Sequence, residues 1–118
     1  MSTLPKTFDL QQQGDVAVIR FRDSRLLGPE QITPIDRELS AWLVAHPAAR
    51  VVFDFSAVNA ISSDFLSRLI GWHNLVQKGQ GRLKVCGLGA SLRELFEVTR
   101  LSKKFELAAD ATAAIASF

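Results

Sequence analysis

The spacing of hydrophobic residues along this chain changes several times, and each change marks a new element. Phe8-Asp9-Leu10-Gln11-Gln12 alternates apolar with polar, Gln13-Gly14-Asp15 carries turn chemistry, and Val16-Ala17-Val18-Ile19-Arg20-Phe21 is a nearly continuous apolar run. Together they predict an antiparallel hairpin whose short, half-polar first strand lies at a sheet edge. Arg22 to Arg25 then leaves the sheet, and Leu26-Leu27-Gly28-Pro29 leads into a helix. Ile32, Ile35, Leu39, Trp42, Leu43 and His46 recur there at the spacing of one buried face. Pro34 is accommodated as a first-turn residue, and His46-Pro47 ends the helix because a residue before proline is biased away from helical backbone.

The stretch from Arg50 to Val76 is the one around which the rest is organised. Val51-Val52-Phe53-Asp54-Phe55 reads as a strand covered on both faces, and Phe65, Leu66, Leu69, Ile70, Trp72, His73 and Val76 form a helical stripe. Ser67, Arg68, Gly71, Asn74 and Gln77 fall on the opposite side of that helix. At the junction, Ala60-Ile61-Ser62-Ser63-Asp64, either Ser62 or Ser63 can N-cap the helix, while Asp64 puts negative charge where the helix dipole favours it. Beyond the glycine-rich turn Lys78 to Gly81, Arg82 to Leu88 predicts another strand. Ser91, with Glu94 as its capping-box partner, opens a helix whose buried stripe is Leu92, Leu95, Phe96 and Val98. Arg100 to Lys104 breaks that pattern, Phe105-Glu106-Leu107 is a short last strand, and Asp110 to Ala116 is a weak closing helix. Strands alternating with helices after an opening hairpin give an α/β fold on a mixed sheet.

At 118 residues the chain fits a single domain, 1–118, large enough for a core without disulfides or metal. Fourteen basic against twelve acidic residues give +2, so the sequence pI near 9.0 implies neither a direct nucleic-acid footprint nor membrane attraction. No apolar run is long enough to span a membrane, and Met1 to Lys6 lacks the apolar core of a signal peptide, which places the protein in the cytoplasm. Cys86, in an apolar run, reads as a buried structural thiol. Enzyme chemistry finds little support. His46 and His73 have no companions at metal-ligand spacing, so no metal or other cofactor is expected. A triad of Ser63, His73 and Asp54 has no spacing argument behind it. Gly79-x-Gly81 and Gly87-x-Gly89 read as turns, Trp42 and Trp72 as core, and Lys103-Lys104 as a solvated turn.

The segment Asp54-Phe55-Ser56-Ala57-Val58-Asn59-Ala60-Ile61-Ser62-Ser63 resembles the signature of the STAS domain, the fold of anti-sigma factor antagonists and of the cytosolic domains of sulfate transporters. A second block, Leu95-Phe96-Glu97-Val98-Thr99-Arg100-Leu101-Ser102-Lys103-Lys104-Phe105, is similar to that family's ending. The resemblance implies a STAS-like mixed sheet and a non-enzymatic antagonist of an anti-sigma factor with serine-kinase activity. Ser63 falls on the family's phosphoacceptor, with Ser62 as the lesser alternative. The chain has Ser62 where the family usually carries Asp, and Phe65 where a small residue is common. The implied partner surface is Ser62, Ser63, Asp64, Ser67, Arg68 and Arg25, and a phosphatase would reverse the modification. The alternative is a STAS scaffold or transporter-associated regulatory subunit that binds constitutively, with Ser63 only a helix cap; homodimerisation is left open.

Overall fold

The computed structural model describes residues 5–118; Met1 to Leu4, on which the expectation about a signal peptide partly rests, lie outside the described residues. The hairpin forms from β1 (Asp9–Gln13) and β2 (Val16–Arg20), with Leu10 opposite Ile19 and Gly14 in the turn at φ 61°. Then follow β3 (Arg25–Leu26), α1 (Pro29–Ala45), β4 (Arg50–Asp54), β5 (Ala60–Ile61) and α2 (Ser63–Lys78). The chain continues through β6 (Arg82–Cys86), α3 (Ala90–Val98), α4 (Leu101–Lys104), β7 (Glu106–Ala108) and α5 (Ala111–Ala116).

The main sheet runs β1-β2-β4-β6-β7, antiparallel in the hairpin and parallel from β2 onward, while β3 and β5 pair separately as a two-stranded parallel ribbon. Alternation along the strands splits the interior in two. Ile19, Val51, Phe53, Leu83 and Val85 face the large core beneath α1, α2 and α3, whereas Val16, Val18, Val52 and Cys86 face a small one beneath α5. The central strand is thus covered on both faces, as its apolar run predicts. Phe21 sits at the middle of the large core, its ring 5.1–6.0 Å from those of Phe53, Phe55, Phe65 and Trp72. Aromatic pairs at such distances add about 0.5–1.5 kcal/mol each beyond the area they bury.

Several local expectations are corrected. Because α1 begins at Pro29, Pro34 falls in its second turn, where it has no N–H to give to the Glu30 carbonyl. His46 is exposed and stacks on the half-buried Trp42 at 4.2 Å instead of entering the core. Gly89, not Ser91, is the N-cap of α3, so the Ser91–Glu94 box does not form. Val98 is 75 % exposed, since the large core takes only the Leu92, Leu95 and Phe96 side of that helix. The break at Arg100 is a single left-handed residue, φ 62°, after which Leu101 to Lys104 makes one helical turn with Lys103 and Lys104 exposed. The ribbon β3–β5 has two residues per strand, too few to show a period in sequence.

The closing helix is better anchored than its apolar content suggests. Asp110 caps it, accepting from the Ala113 N–H at 2.8 Å. Lys84, a buried lysine in β6, donates to Ser117 Oγ and lies 4.6 Å from the Phe118 ring centre. Cys86 is unpaired and buried, and burial together with Asp54 and Asp110 pushes its thiol up to about 12, so it stays neutral.

Candidate functional site

Strand β4 delivers the chain to the edge at which β2 and β6 also end, and Asp54, its last residue, fixes the departure. Asp54 is 3 % exposed. Its Oδ2 accepts from Arg20 Nε and Nη2 at 3.2 and 3.1 Å, and its Oδ1 accepts from the Ser56 N–H at 2.9 Å. A carboxylate bonding the backbone two residues on enforces a turn, and here that carboxylate is itself immobilised. Gly87 packs on the same turn at φ 75°, where an added Cβ would lie 2.8 Å from Ser56 N and 2.9 Å from Asp54 Oδ1. Val58 plugs the loop into the core and its N–H returns to the Phe55 carbonyl at 2.9 Å. The loop then ties to the β3 segment: Asn59 N donates to Ser24 O at 2.7 Å and Ser62 N to Leu26 O at 3.0 Å. The segment between β4 and α2 is therefore pinned at both ends.

At the helix start the two serines separate. Ser62 is the N-cap, extended at φ −87° and ψ 168°, its Oγ accepting from the Phe65 N–H at 3.1 Å. Serine is among the strongly preferred N-cap residues, and Ser62 fills that role at the position where the resemblance leads one to expect Asp. Phe65 is fully buried against Phe21, Phe55 and Trp72, which accounts for a large residue two positions after Ser63. Ser63 is the first residue of α2; it is exposed, and among the described residues its hydroxyl makes no hydrogen bond. The reading of Ser63 as the helix cap is thereby corrected, because the cap is already supplied.

The remaining residues of the expected surface divide. Asp64 and Ser67 are exposed on the first turns of α2, and Arg25 is exposed on β3, opposite Ala60 of β5 and so beside the loop that feeds α2. Arg68 is turned elsewhere: it bonds Asp64 at 3.3 Å and reaches Asp36 of α1. Asp36 also accepts from Trp72 Nε1 at 2.7 Å and Ser40 Oγ at 3.0 Å. Burial works to raise the Asp36 carboxyl, but the donors Trp72, Ser40 and Arg68 outweigh it and hold it below the ordinary carboxylate value. Arg68 is thus a tie between α1 and α2. Sequence reasoning missed Leu27, 41 % exposed beside the buried Leu26. No period in the sequence marked it, because β3 ends at Leu26 and Leu27 lies in the turn before α1.

The other chemistry is not assembled. Ser63 and His73 are ten residues apart on one helix, about 15 Å along its axis. His73 packs edge-on against Phe105 at 4.8 Å, and both Asp54 oxygens are engaged by Arg20 and Ser56. Among the described residues no cluster of His, Cys, Asp and Glu could hold a metal ion, and no helix is long and apolar enough to cross a membrane.

Comparison with known proteins gives a consistent result. The family model described as STAS domain matches residues 7–114. No curated protein matches the chain in sequence. Among solved structures, an anti-sigma-factor antagonist (STAS) domain protein from Planctomyces limnophilus superposes with a TM-score of 0.81 at 19 % identity, covering 92 % of this chain and 95 % of that one. An anti-sigma factor antagonist from Mycobacterium paratuberculosis gives 0.80 at 21 % identity, covering 93 % and 91 %. The Bacillus cell fate determinant SpoIIAA, in its phosphorylated form, gives 0.70 at 17 % identity, covering 94 % and 99 %. At such identities the likeness to these structures is one of fold.

Proposed function

The chain belongs to the STAS domain family, and from that premise we propose that it is an anti-sigma factor antagonist, a one-domain module whose binding is switched by phosphorylation of Ser63. The observation that carries this reading is the division of labour between the serines: Ser62 caps α2, leaving the Ser63 hydroxyl exposed and, among the described residues, unengaged. A solved structure of SpoIIAA in its phosphorylated form supports it. Unmodified, the surface made by Ser63, Asp64, Ser67, Arg25 and Leu27 docks an anti-sigma factor with serine-kinase activity and sequesters it in the cytoplasm. Transfer chemistry belongs to that partner, and a phosphatase resets the switch.

Phosphate on Ser63 adds roughly −1.5 to −2 charge and strong acceptor oxygens. The fold tolerates this, because the first amides of a helix favour an anion. The interface does not: Asp64 already stands beside the hydroxyl, so a bound partner would meet like charge and a desolvation cost. The test is to purify the protein from its own cells with phosphatases inhibited and to map phosphate by intact mass and fragment ions. Phosphate on Ser63 is expected. Its absence under every growth and stress condition, or its presence on Ser62 instead, sinks the reading. Capture of the partner should be retained by Ser63→Ala and lost by Ser63→Asp, and equal capture by both counts equally against it.

A further inference from the structure

The main sheet is covered unequally. α5 packs over β4, β6 and β7, with Val16 and Val18 of β2 buried in the small core beneath it, and leaves the outer half toward β1 open. Between the open half and α5 runs a groove of about 530 Å³, within the range of small-molecule sites. Val18 and Ile115 line its apolar part, and Gln11, Gln13, Arg20, Thr112 and the carboxylates Asp9 and Asp54 its polar part.

Arg20 supplies the charged donor of this lining. Arg20, 54 % exposed in its side chain, gives Nε and Nη2 to Asp54, and its Nη1 has no partner among the described residues. The Gln11 and Gln13 carboxamides and the Thr112 hydroxyl are likewise unengaged among the described residues and can turn donors toward a ligand, while each lining carboxylate is paired with an arginine. Both Asp54 oxygens are bonded, and Asp9 pairs with Arg22 at 2.8 Å. A ligand that satisfies this lining offers acceptor oxygens at one end and hydrocarbon at the other.

We infer that the groove binds a small organic carboxylate with an apolar body, the carboxylate against Arg20 and the Gln11 and Gln13 amides, the body along Val18 and Ile115. The site lies on the opposite face of the sheet from α2 and does not depend on the phosphorylation reading. It is nevertheless wired to the loop before Ser63, since the Asp54 that fixes Arg20 also holds the Ser56 N–H.

The experiment is a two-dimensional ¹H–¹⁵N NMR titration of the full chain with octanoate, with octanol and octylamine as parallel probes. Octanoate should give saturable shifts at Gln11, Val18, Arg20 and Ile115, followed by Ser56; octanol should bind more weakly and octylamine not at all. Arg20→Gln removes the cation but leaves Asp54 buried and unpaired, so the decisive variant is Gln11→Glu. It adds a like charge on an exposed strand and keeps the Arg20–Asp54 pair, and it should weaken octanoate about tenfold, the scale of one charge-assisted hydrogen bond. Absence of saturable shifts at the groove, equal affinity for all probes, or undiminished octanoate binding by Gln11→Glu overturns the inference.

Discussion

His73 is the polar side chain that the core leaves least satisfied. It is 7 % exposed, and its Nδ1 is buried without a hydrogen-bond partner among the described residues. Burial first, and then the positive charge of Lys104, hold its imidazole below the ordinary histidine value. The folded state therefore binds a proton less readily than the unfolded chain. The neutral ring's contribution is fully present above the unfolded value of 6.5 and is lost as pH falls through the depressed folded value. Thermal midpoints measured from about pH 7.5 down to 5 should fall for the native protein and fall less for His73→Gln; parallel slopes would dismiss this role. The same scale shows what sequence could disclose. His73 announces its burial by its place in the α2 stripe, and the Asp54-Phe55-Ser56 run announces a strand end. The choice of Ser62 over Ser63 as cap needs one hydrogen-bond direction that composition does not carry. Nor is the Arg68–Asp36–Trp72 tie legible, because it joins residues more than thirty positions apart.

Among the elements, α2 and the loop before it are the most heavily specified. Ser62→Ala removes the cap and should lower stability by about 1 kcal/mol without preventing modification of Ser63. Gly87→Ala should cost more, because a methyl group at φ 75° is both strained and driven into Ser56 N and Asp54 Oδ1. Urea melts of the two variants, side by side, check the order, and an unperturbed Gly87→Ala would refute this account of the loop. The long elements were readable because a period needs length to declare itself, as in the Val51 to Phe55 run and the α2 stripe. Where the structure departed from expectation, the cause was local. Gly89 pre-empts Ser91, one residue at Arg100 reverses the backbone, and β3 and β5 owe their existence to pairing with each other.

At the scale of the whole molecule, the sheet divides a large aromatic core from a small one roofed by a six-residue helix. So short a helix is held by its Asp110 cap, by Ala114 and by the Lys84 contact with Ser117 and Phe118, not by its own cooperativity. Native-state hydrogen exchange should find α5 opening at lower free energy than β4, β6 or α2, and Phe118→Ala should widen that gap; uniform protection across both faces would contradict it. The parallel strands add a polarity that has a practical use. β2, β4 and β6 all point the same way, so Asp54, Gly87 and the serines gather at one end of the sheet, while the Gly14–Asp15 turn sits at the other. That turn is a natural handle. A fluorophore, a tether to a sensor surface or an inserted epitope placed there would leave the far end facing solution, oriented alike on every immobilised copy.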